Sequence, residues 1–100
     1  MNVAVIVLPE AESDLAEAFA WCEEQRPDLG RKFLDEVDAV FARIGKHPLV
    51  FPVVEDPVRR GLLKRFPFAV YFLPEVAAVK VYAVLHQRRE PGIWRERLGL

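Results

Sequence analysis

Residues 29–46, LGRKFLDEVDAVFARIGK, carry the clearest structural signal in this 100-residue chain. Their apolar side chains recur every three or four positions, which is the spacing of one face of an amphipathic helix. This stripe comprises Leu29, Phe33, Leu34, Val37, Val40, Phe41 and Ile44. The opposite face is charged, and Gly45 followed by His47–Pro48 is a strong helix stop. Asp28 stands where a residue that caps the helix start is expected.

A strand and another helix are predicted before this segment. Val3–Leu8 is a run of mostly β-branched residues, typical of a strand buried on both faces. Pro9 ends that strand and is tolerated in the first turn of a following helix. The apolar positions of that helix are Ala11, Leu15, Ala18, Phe19 and Cys22. Pro27 interrupts the pattern, so the two helices are predicted to form an antiparallel hairpin.

The apolar runs in the second half of the chain predict a sheet. Leu49–Pro57 is rich in proline and is predicted to be irregular. Proline-containing breaks divide the apolar residues that follow into three strand candidates, at about Val58–Arg65, Phe68–Leu73 and Ala78–Arg88. A short terminal turn or helix that contains Trp94 and Arg97 is expected after Glu90–Pro91.

The last strand predicts which face of the sheet meets the helices. If this strand alternates regularly, its wholly apolar face lies on the helices and consists of Val79, Val81, Ala83 and Leu85. The other face then carries Lys80, Tyr82, Val84, His86 and Arg88. The predicted order is β-α-α-β-β-β, an α+β fold in which a mostly antiparallel sheet packs on a helical hairpin. The length predicts a single domain over residues 1–100.

The composition, 52% apolar and 29% charged, excludes a disordered chain. A single cysteine, Cys22, excludes an intramolecular disulfide and a cysteine-rich zinc site, and it favours a reducing compartment. The longest apolar runs, Val3–Leu8 and Phe66–Pro74, are far shorter than the roughly 20 residues that span a bilayer. We therefore expect a cytoplasmic protein that does not enter a membrane.

The net charge of −1 conceals an asymmetry between the two halves of the chain. Residues 1–50 hold five cations and ten anions, for a net charge of −5. Residues 51–100 hold nine cations and five anions, for a net charge of +4. A split of this kind suggests a basic working surface built from the second half.

Most sequence motifs of enzymatic chemistry are missing. The chain has no glycine-rich phosphate loop and no GxSxG motif. Its two histidines, His47 and His86, come without a cysteine cluster, so we predict no metal and no cofactor. Cys22 falls on an apolar stripe and is predicted to be a core residue, while His47 belongs to the helix stop. The acidic residues are predicted to be solvated charges on helix surfaces.

The candidate binding residues are basic and lie in two segments. The first segment contributes Arg59, Arg60, Lys64 and Arg65. The second contributes His86, Arg88, Arg89, Trp94 and Arg97. Guanidinium forks and aromatic rings suit phosphates, carboxylates and nucleic-acid bases. His86 is either a general acid or base beside the arginines or a structural histidine that hydrogen-bonds a loop.

These segments resemble the ParE branch of the RelE/ParE superfamily, the toxins of bacterial toxin–antitoxin modules. The resemblance begins at PEAESDL (residues 9–15) and Trp21, and continues through Pro27, Leu29, Gly30, Phe33, Leu34 and His47–Pro48. It is most specific in VRR (58–60), LKRFPF (63–68) and AVLHQRREP (83–91) with Trp94 and Arg97. The last of these follows the pattern V-x-H-x-R-R-x-P-x-x-W-x-x-R.

The resemblance implies a toxin that an antitoxin encoded beside it neutralises within a hetero-oligomer. The antitoxin's C-terminal segment would cover apolar positions around the hairpin and an open sheet edge. ParE-like toxins act on DNA gyrase without chemistry of their own, and this is the function we expect.

Two alternatives stay open at this point. A RelE-like toxin would cut mRNA on the ribosome, and His86, Arg88, Arg60 and Lys64 would be its candidate catalytic residues. Trp94 weakens that alternative, because an indole cannot exchange the required proton where relatives carry a terminal tyrosine or histidine. The other alternative is an inactive homologue that serves as an interaction module.

Overall fold

The two predicted helices form the hairpin, and they end close to the predicted positions. The computed structural model describes residues 2–88 and 92–100. Helix α1 spans Pro9–Gln25, with proline in its first turn, and α2 spans Leu29–Lys46. A short 3-10 helix, Pro48–Val50, follows α2, and a third helix, α3, spans Gly92–Arg97. The prediction of a terminal helix that contains Trp94 and Arg97 is thereby confirmed.

Among the described residues, five strands form one sheet, in the order β1-β5-β4-β3-β2. Their bounds are Ala4–Val7 (β1), Val53–Glu55 (β2), Val58–Leu62 (β3), Phe68–Pro74 (β4) and Ala78–His86 (β5). All neighbours are antiparallel except β1 and β5, which are parallel. The hairpin packs on one face of the sheet, so the predicted α+β class and the mostly antiparallel sheet are confirmed.

The connection between α1 and α2 differs from the prediction that Asp28 caps the start of α2. Asp28 is at the N-cap position of α2 but has a φ of 74°, and its side chain makes no capping hydrogen bond. Glu23 on α1 accepts the Gly30 N–H instead, at 2.7 Å. A Cβ on Gly30 would stand 2.7 Å from the ring of Phe19, so only glycine allows the helices to meet this closely here.

Each face of the sheet has its own apolar core. The helix-side core is the larger and includes Phe33, Val37 and Ile44 from α2 and Val70, Phe72, Val79, Val81 and Val84 from the sheet. The outer-face core comprises Val58, Ala69, Tyr71, Ala83, Leu85 and Trp94. Helix α3 covers part of the outer face, which is why the central strands β4 and β5 are apolar on both sides.

The regular alternation expected for β5 is wrong. The pairing with β4 shifts between Tyr71–Ala83 and Phe72–Val81, which leaves Tyr82 as the extra residue of a β-bulge. Val79 and Val81 face the helices as expected, but Ala83 and Leu85 lie in the outer-face core. Beyond the bulge, it is Val84 that turns to the helix side.

Three strand predictions also need correction. β1 is not buried on both faces: it is an edge strand, and Ile6 is 43% exposed because no element of the described part of the chain covers its outer side. The segment predicted to be irregular contains β2, a three-residue edge strand between prolines, where proline is tolerated. β3 ends at Leu62, so Lys64 and Arg65 lie in the turn before β4 and not in a strand.

Within the described residues, no helix has both the length and the apolar character needed to cross a membrane.

Candidate functional site

Four of the predicted basic residues lie at one end of the sheet. The Leu63 N–H donates to Phe68 O at 3.1 Å, and the Gln87 N–H donates to Pro67 O at 2.8 Å. The β3–β4 turn therefore lies beside the end of β5, since paired strands are about 4.8 Å apart. Lys64 and Arg65 in this turn therefore lie at the same end of the sheet as His86 and Arg88 at the end of β5. We call these four residues the basic end.

Glu36 on α2 holds the turn that carries two of these residues. Its Oε1 accepts the Lys64 N–H at 2.9 Å and the Arg65 N–H at 3.1 Å. The backbone of the turn is thus anchored to the hairpin, while both basic side chains stay exposed. The backbone positions of Lys64 and Arg65 are therefore fixed by contacts with α2, unlike those of residues in an unanchored loop.

A groove of about 710 Å³ runs along α2 from the basic end. It has an apolar part formed by Leu29, Ala39, Val40, Leu62 and Phe66. Its charged lining includes five cations, Arg26, Lys32, Arg43, Lys64 and Arg65, against two acids, Asp35 and Glu36. We call it the α2 groove. An apolar floor with an excess of cations suits an amphipathic segment that carries acidic side chains.

His86 is half-buried, and its ring is oriented by two neighbours. Its Nδ1 accepts the Arg88 N–H at 3.1 Å, and its ring packs edge-on to Phe68 with centroids 5.5 Å apart. In the neutral ring, Nε2 then carries the proton, because Nδ1 is used as an acceptor. His86 therefore has the local backbone contact that was expected of a structural histidine, and it keeps one N–H available to donate.

The two arginines of β3 are placed apart from the basic end. Arg59 lies on the helix side, where its Nη1 donates to Phe51 O at 2.6 Å and to Leu49 O at 3.1 Å. Arg60 pairs with Tyr71 and shares the outer face with it. Its Nε is buried and has no hydrogen-bond partner among the described residues. Arg60 and His86 are therefore on opposite faces of the sheet, which separates two members of the candidate catalytic set.

Trp94 and Arg97 are structural in this fold. Trp94 is 5% exposed and stacks on Tyr71, with centroids 5.3 Å apart and an interplanar angle of 15°. Arg97 makes two bonds to Asp14, at 2.7 and 3.0 Å, and donates to Tyr82 O at 3.0 Å. Hydrogen bonding to Asp14 raises the pKa of Arg97 above its ordinary value. The last predicted binding residue, Arg89, lies outside the described residues.

Asp14 is not one of the solvated acids that the sequence predicts. It is 8% exposed and accepts the Val84 N–H at 2.9 Å in addition to the Arg97 bonds. One signal was present: Asp14 falls between Ala11 and Ala18 on the stripe of α1 that faces the sheet. A carboxylate in the middle of an apolar stripe indicates a paired buried charge.

The basic end and the α2 groove together can bind an anionic or acidic partner. Among the described residues, no group of three or more histidine, cysteine or carboxylate side chains is arranged to hold a metal ion. The arrangement is suited to recognition through charge and apolar contact.

Comparison with known proteins agrees with this architecture. The family model described as "ParE toxin of type II toxin-antitoxin system, parDE" matches residues 5–91. A solved chain described as "Chromosomal ParDE TA system from P. aeruginosa" is similar, with a TM-score of 0.75 and 15% identity. The similarity covers 85% of this chain and 96% of that chain, and at this identity it shows the fold alone. The search of curated proteins gave no match.

Proposed function

We propose that this chain, which belongs to the ParE toxin family of type II toxin–antitoxin systems, inhibits DNA gyrase by binding it and performs no reaction of its own. The observation that carries this proposal is the placement of Arg60 and His86 on opposite faces of the sheet. These two residues therefore do not face one phosphate from the same side of the sheet. The basic end supports a binding function, and a cytoplasmic location follows from the proposed target.

The cognate antitoxin is proposed to occupy the α2 groove. The groove combines a half-exposed Leu62 with five lining cations, so an amphipathic segment with acidic residues would complement it. Leu62 lies at the end of β3, beyond the last residue that β2 pairs with, so the β3 edge is open there. An extended part of the same antitoxin segment could pair with that edge while its side chains enter the groove.

Gyrase is proposed to contact the basic end. Lys64, Arg65 and Arg88 are exposed there, and His86 presents its Nε2 proton donor. Lys64 and Arg65 also line the α2 groove, so the antitoxin and gyrase sites overlap at these two residues. Neutralisation then follows from competition, because a bound antitoxin covers part of the gyrase surface.

His86 favours one second candidate function, ribosome-dependent mRNA cleavage. Its ring is oriented by the Arg88 amide and lies at the end of the sheet that carries Lys64, Arg65 and Arg88, and an oriented ring is what a general acid needs. Under this candidate, His86, Arg88 and Lys64 would act on one phosphate without Arg60. An inactive homologue that only binds its antitoxin is the remaining outcome.

The experiment is controlled expression of the chain alone in bacteria, with pulse labelling of DNA and protein synthesis within minutes of induction. The gyrase proposal predicts that thymidine incorporation falls first while leucine incorporation holds. It also predicts that Arg65→Glu restores growth and that Lys46→Glu, which is exposed but outside both surfaces, does not. An early collapse of leucine incorporation that His86→Ala prevents would replace the proposal with mRNA cleavage. Unaffected growth at verified expression would indicate an inactive homologue.

A further inference from the structure

A second cavity, of about 330 Å³, lies between α1 and the end of β5. It shares no lining residue with the α2 groove. Its α1 wall includes Asp14, Glu17 and Trp21, which are spaced by three and four residues and so lie on one face of the helix. Its β5 wall includes Val84, beyond the last β5 residue that pairs with β1, Val81.

One arginine of this chain already binds at the start of this face. The Arg97 guanidinium bonds both oxygens of Asp14 on α1 and the carbonyl of Tyr82 on β5. The site thus consists of one carboxylate from α1 and one strand carbonyl from β5. Arg97 fills it from the outer-face helix α3.

A second carboxylate lies further along α1, at Glu17, and a second strand carbonyl lies further along β5, at Val84. Glu17 follows Asp14 by three residues, about 4.5 Å along the helix axis. Val84 follows Tyr82 by two residues, about 6.6 Å along the strand. Val84 donates its N–H to Asp14, away from β4, so its carbonyl points to that same free edge. None of the described arginines or lysines forms an ion pair with Glu17.

Trp21 adds a third recognition element at the far end of the cavity. Its side chain is 49% exposed, although it lines the cavity one turn beyond Glu17. An indole ring beside a carboxylate is a favourable environment for a cation, because the ring face attracts positive charge. The exposed half of the ring is surface that a bound partner would cover.

We propose that the α1–β5 cavity binds an arginine side chain presented by a protein partner. The guanidinium would pair with Glu17 and donate to the Val84 carbonyl, in the same way as Arg97 pairs with Asp14 and donates to the Tyr82 carbonyl. It would also pack on Trp21. Arginine is favoured over lysine because its planar fork can reach a carboxylate and a carbonyl together. The inference goes beyond the gyrase and antitoxin assignments. The three groups proposed to bind the guanidinium, Glu17, the Val84 carbonyl and Trp21, belong to neither the basic end nor the α2 groove, although His86 of the basic end also lines this cavity.

The test uses the full chain labelled with ¹⁵N and titrated with the capped tripeptide acetyl-Gly-Arg-Gly-amide, with the lysine and glutamate tripeptides as comparisons. We expect saturable shifts of the Trp21 indole N–H and the Val84 amide, with weaker binding of the lysine peptide and none of the glutamate peptide. Glu17→Gln should weaken arginine binding by about two- to fivefold, as for a partly exposed ion pair. Glu12→Gln, on another face of α1, should leave it unchanged.

Two results would overturn the proposal. One is the absence of saturable shifts at Trp21 and Val84 with the arginine peptide. The other is equal binding by the Glu17→Gln and Glu12→Gln proteins. Because no gyrase or antitoxin is present in the titration, neither result bears on the proposed toxin function.

Discussion

Asp14 and Arg97 are 83 residues apart in the sequence and form a two-point ion pair, at 2.7 and 3.0 Å. The same carboxylate accepts the Val84 N–H, and the same guanidinium donates to the Tyr82 carbonyl. The pair therefore joins α1, α3 and the part of β5 that β1 leaves uncovered. It also occupies the start of an open strand edge that another chain could otherwise extend.

Removing the arginine of this pair should destabilise the fold strongly. Arg97→Ala leaves the Asp14 carboxylate, 8% exposed, without its countercharge, and losses of this kind cost about 3 kcal/mol. The matched control is Arg95→Ala, whose ion pair with Glu55 is much more exposed and should contribute less than about 1 kcal/mol. Urea unfolding of both variants measures the difference. Equal losses would mean that the Asp14 pair is no stronger than a surface contact.

The close approach of the two helices should make Gly30 intolerant of any side chain. In Gly30→Ala, the new Cβ would meet two ring atoms of Phe19 at 2.7 Å, and relieving this overlap should cost about 1–3 kcal/mol. Gly92→Ala is the control, because a Cβ there meets no atom within 4 Å. Thermal unfolding of the two variants tests the prediction. A Gly30→Ala protein as stable as the Gly92→Ala protein would contradict the helix packing described here.

The charge of the α2 groove should control antitoxin binding. Arg65→Glu replaces a lining cation with an acid and should weaken binding of the cognate antitoxin by about tenfold, because the acidic side chains of the segment would then be repelled. Lys46→Glu changes the same charge outside the groove and should have little effect. Titration calorimetry at two salt concentrations measures both, and wild-type binding should weaken with added salt. Identical affinities for the two variants would place the antitoxin elsewhere.

Cys22 should be unreactive in the folded protein. It is fully buried, and burial, reinforced by the charge of Glu23, raises the pKa of its thiol above the ordinary value. At pH 8, we expect a thiol reagent to label it about a hundredfold more slowly in native buffer than in urea. Because the folded state holds this proton more tightly than the unfolded chain, its contribution to stability is present below the ordinary thiol pKa and is lost as pH rises through the higher folded value. Equally fast labelling in both buffers would show that the core around α1 opens readily.

The layered fold was predictable because its signals are local. The α2 stripe and the proline and glycine stops set the hairpin, and the prolines around β4 set the turns. The β5 bulge was not predictable from the sequence, since no residue near Tyr82 marks it. One extra residue there exchanges the faces of Ala83 and Val84. A prediction that assumes strict alternation of side chains between the two faces therefore assigns every residue after the bulge to the wrong face.

The candidate site was predictable in part for a related reason. Local motifs located the basic residues, and four of them do lie at the one end of the sheet where β3, β4 and β5 pair. Sequence alone could not distinguish a free arginine from one that the fold uses. The Arg97 side chain is hydrogen-bonded to Asp14, 83 residues away, and the Arg59 side chain to backbone carbonyls near the 3-10 helix. These hydrogen-bond partners are distant in the sequence and are brought together by the packing of the fold, so local residue spacing does not predict them.

The action of the purified chain on DNA gyrase is the decisive measurement for the proposed function. In a supercoiling assay with relaxed plasmid, gyrase and ATP, we expect inhibition that increases with toxin concentration and is relieved by the cognate antitoxin. The Arg65→Glu protein should inhibit less than the Lys46→Glu protein. Full supercoiling in the presence of excess toxin, with the toxin shown to be folded by its unfolding transition, would contradict the account.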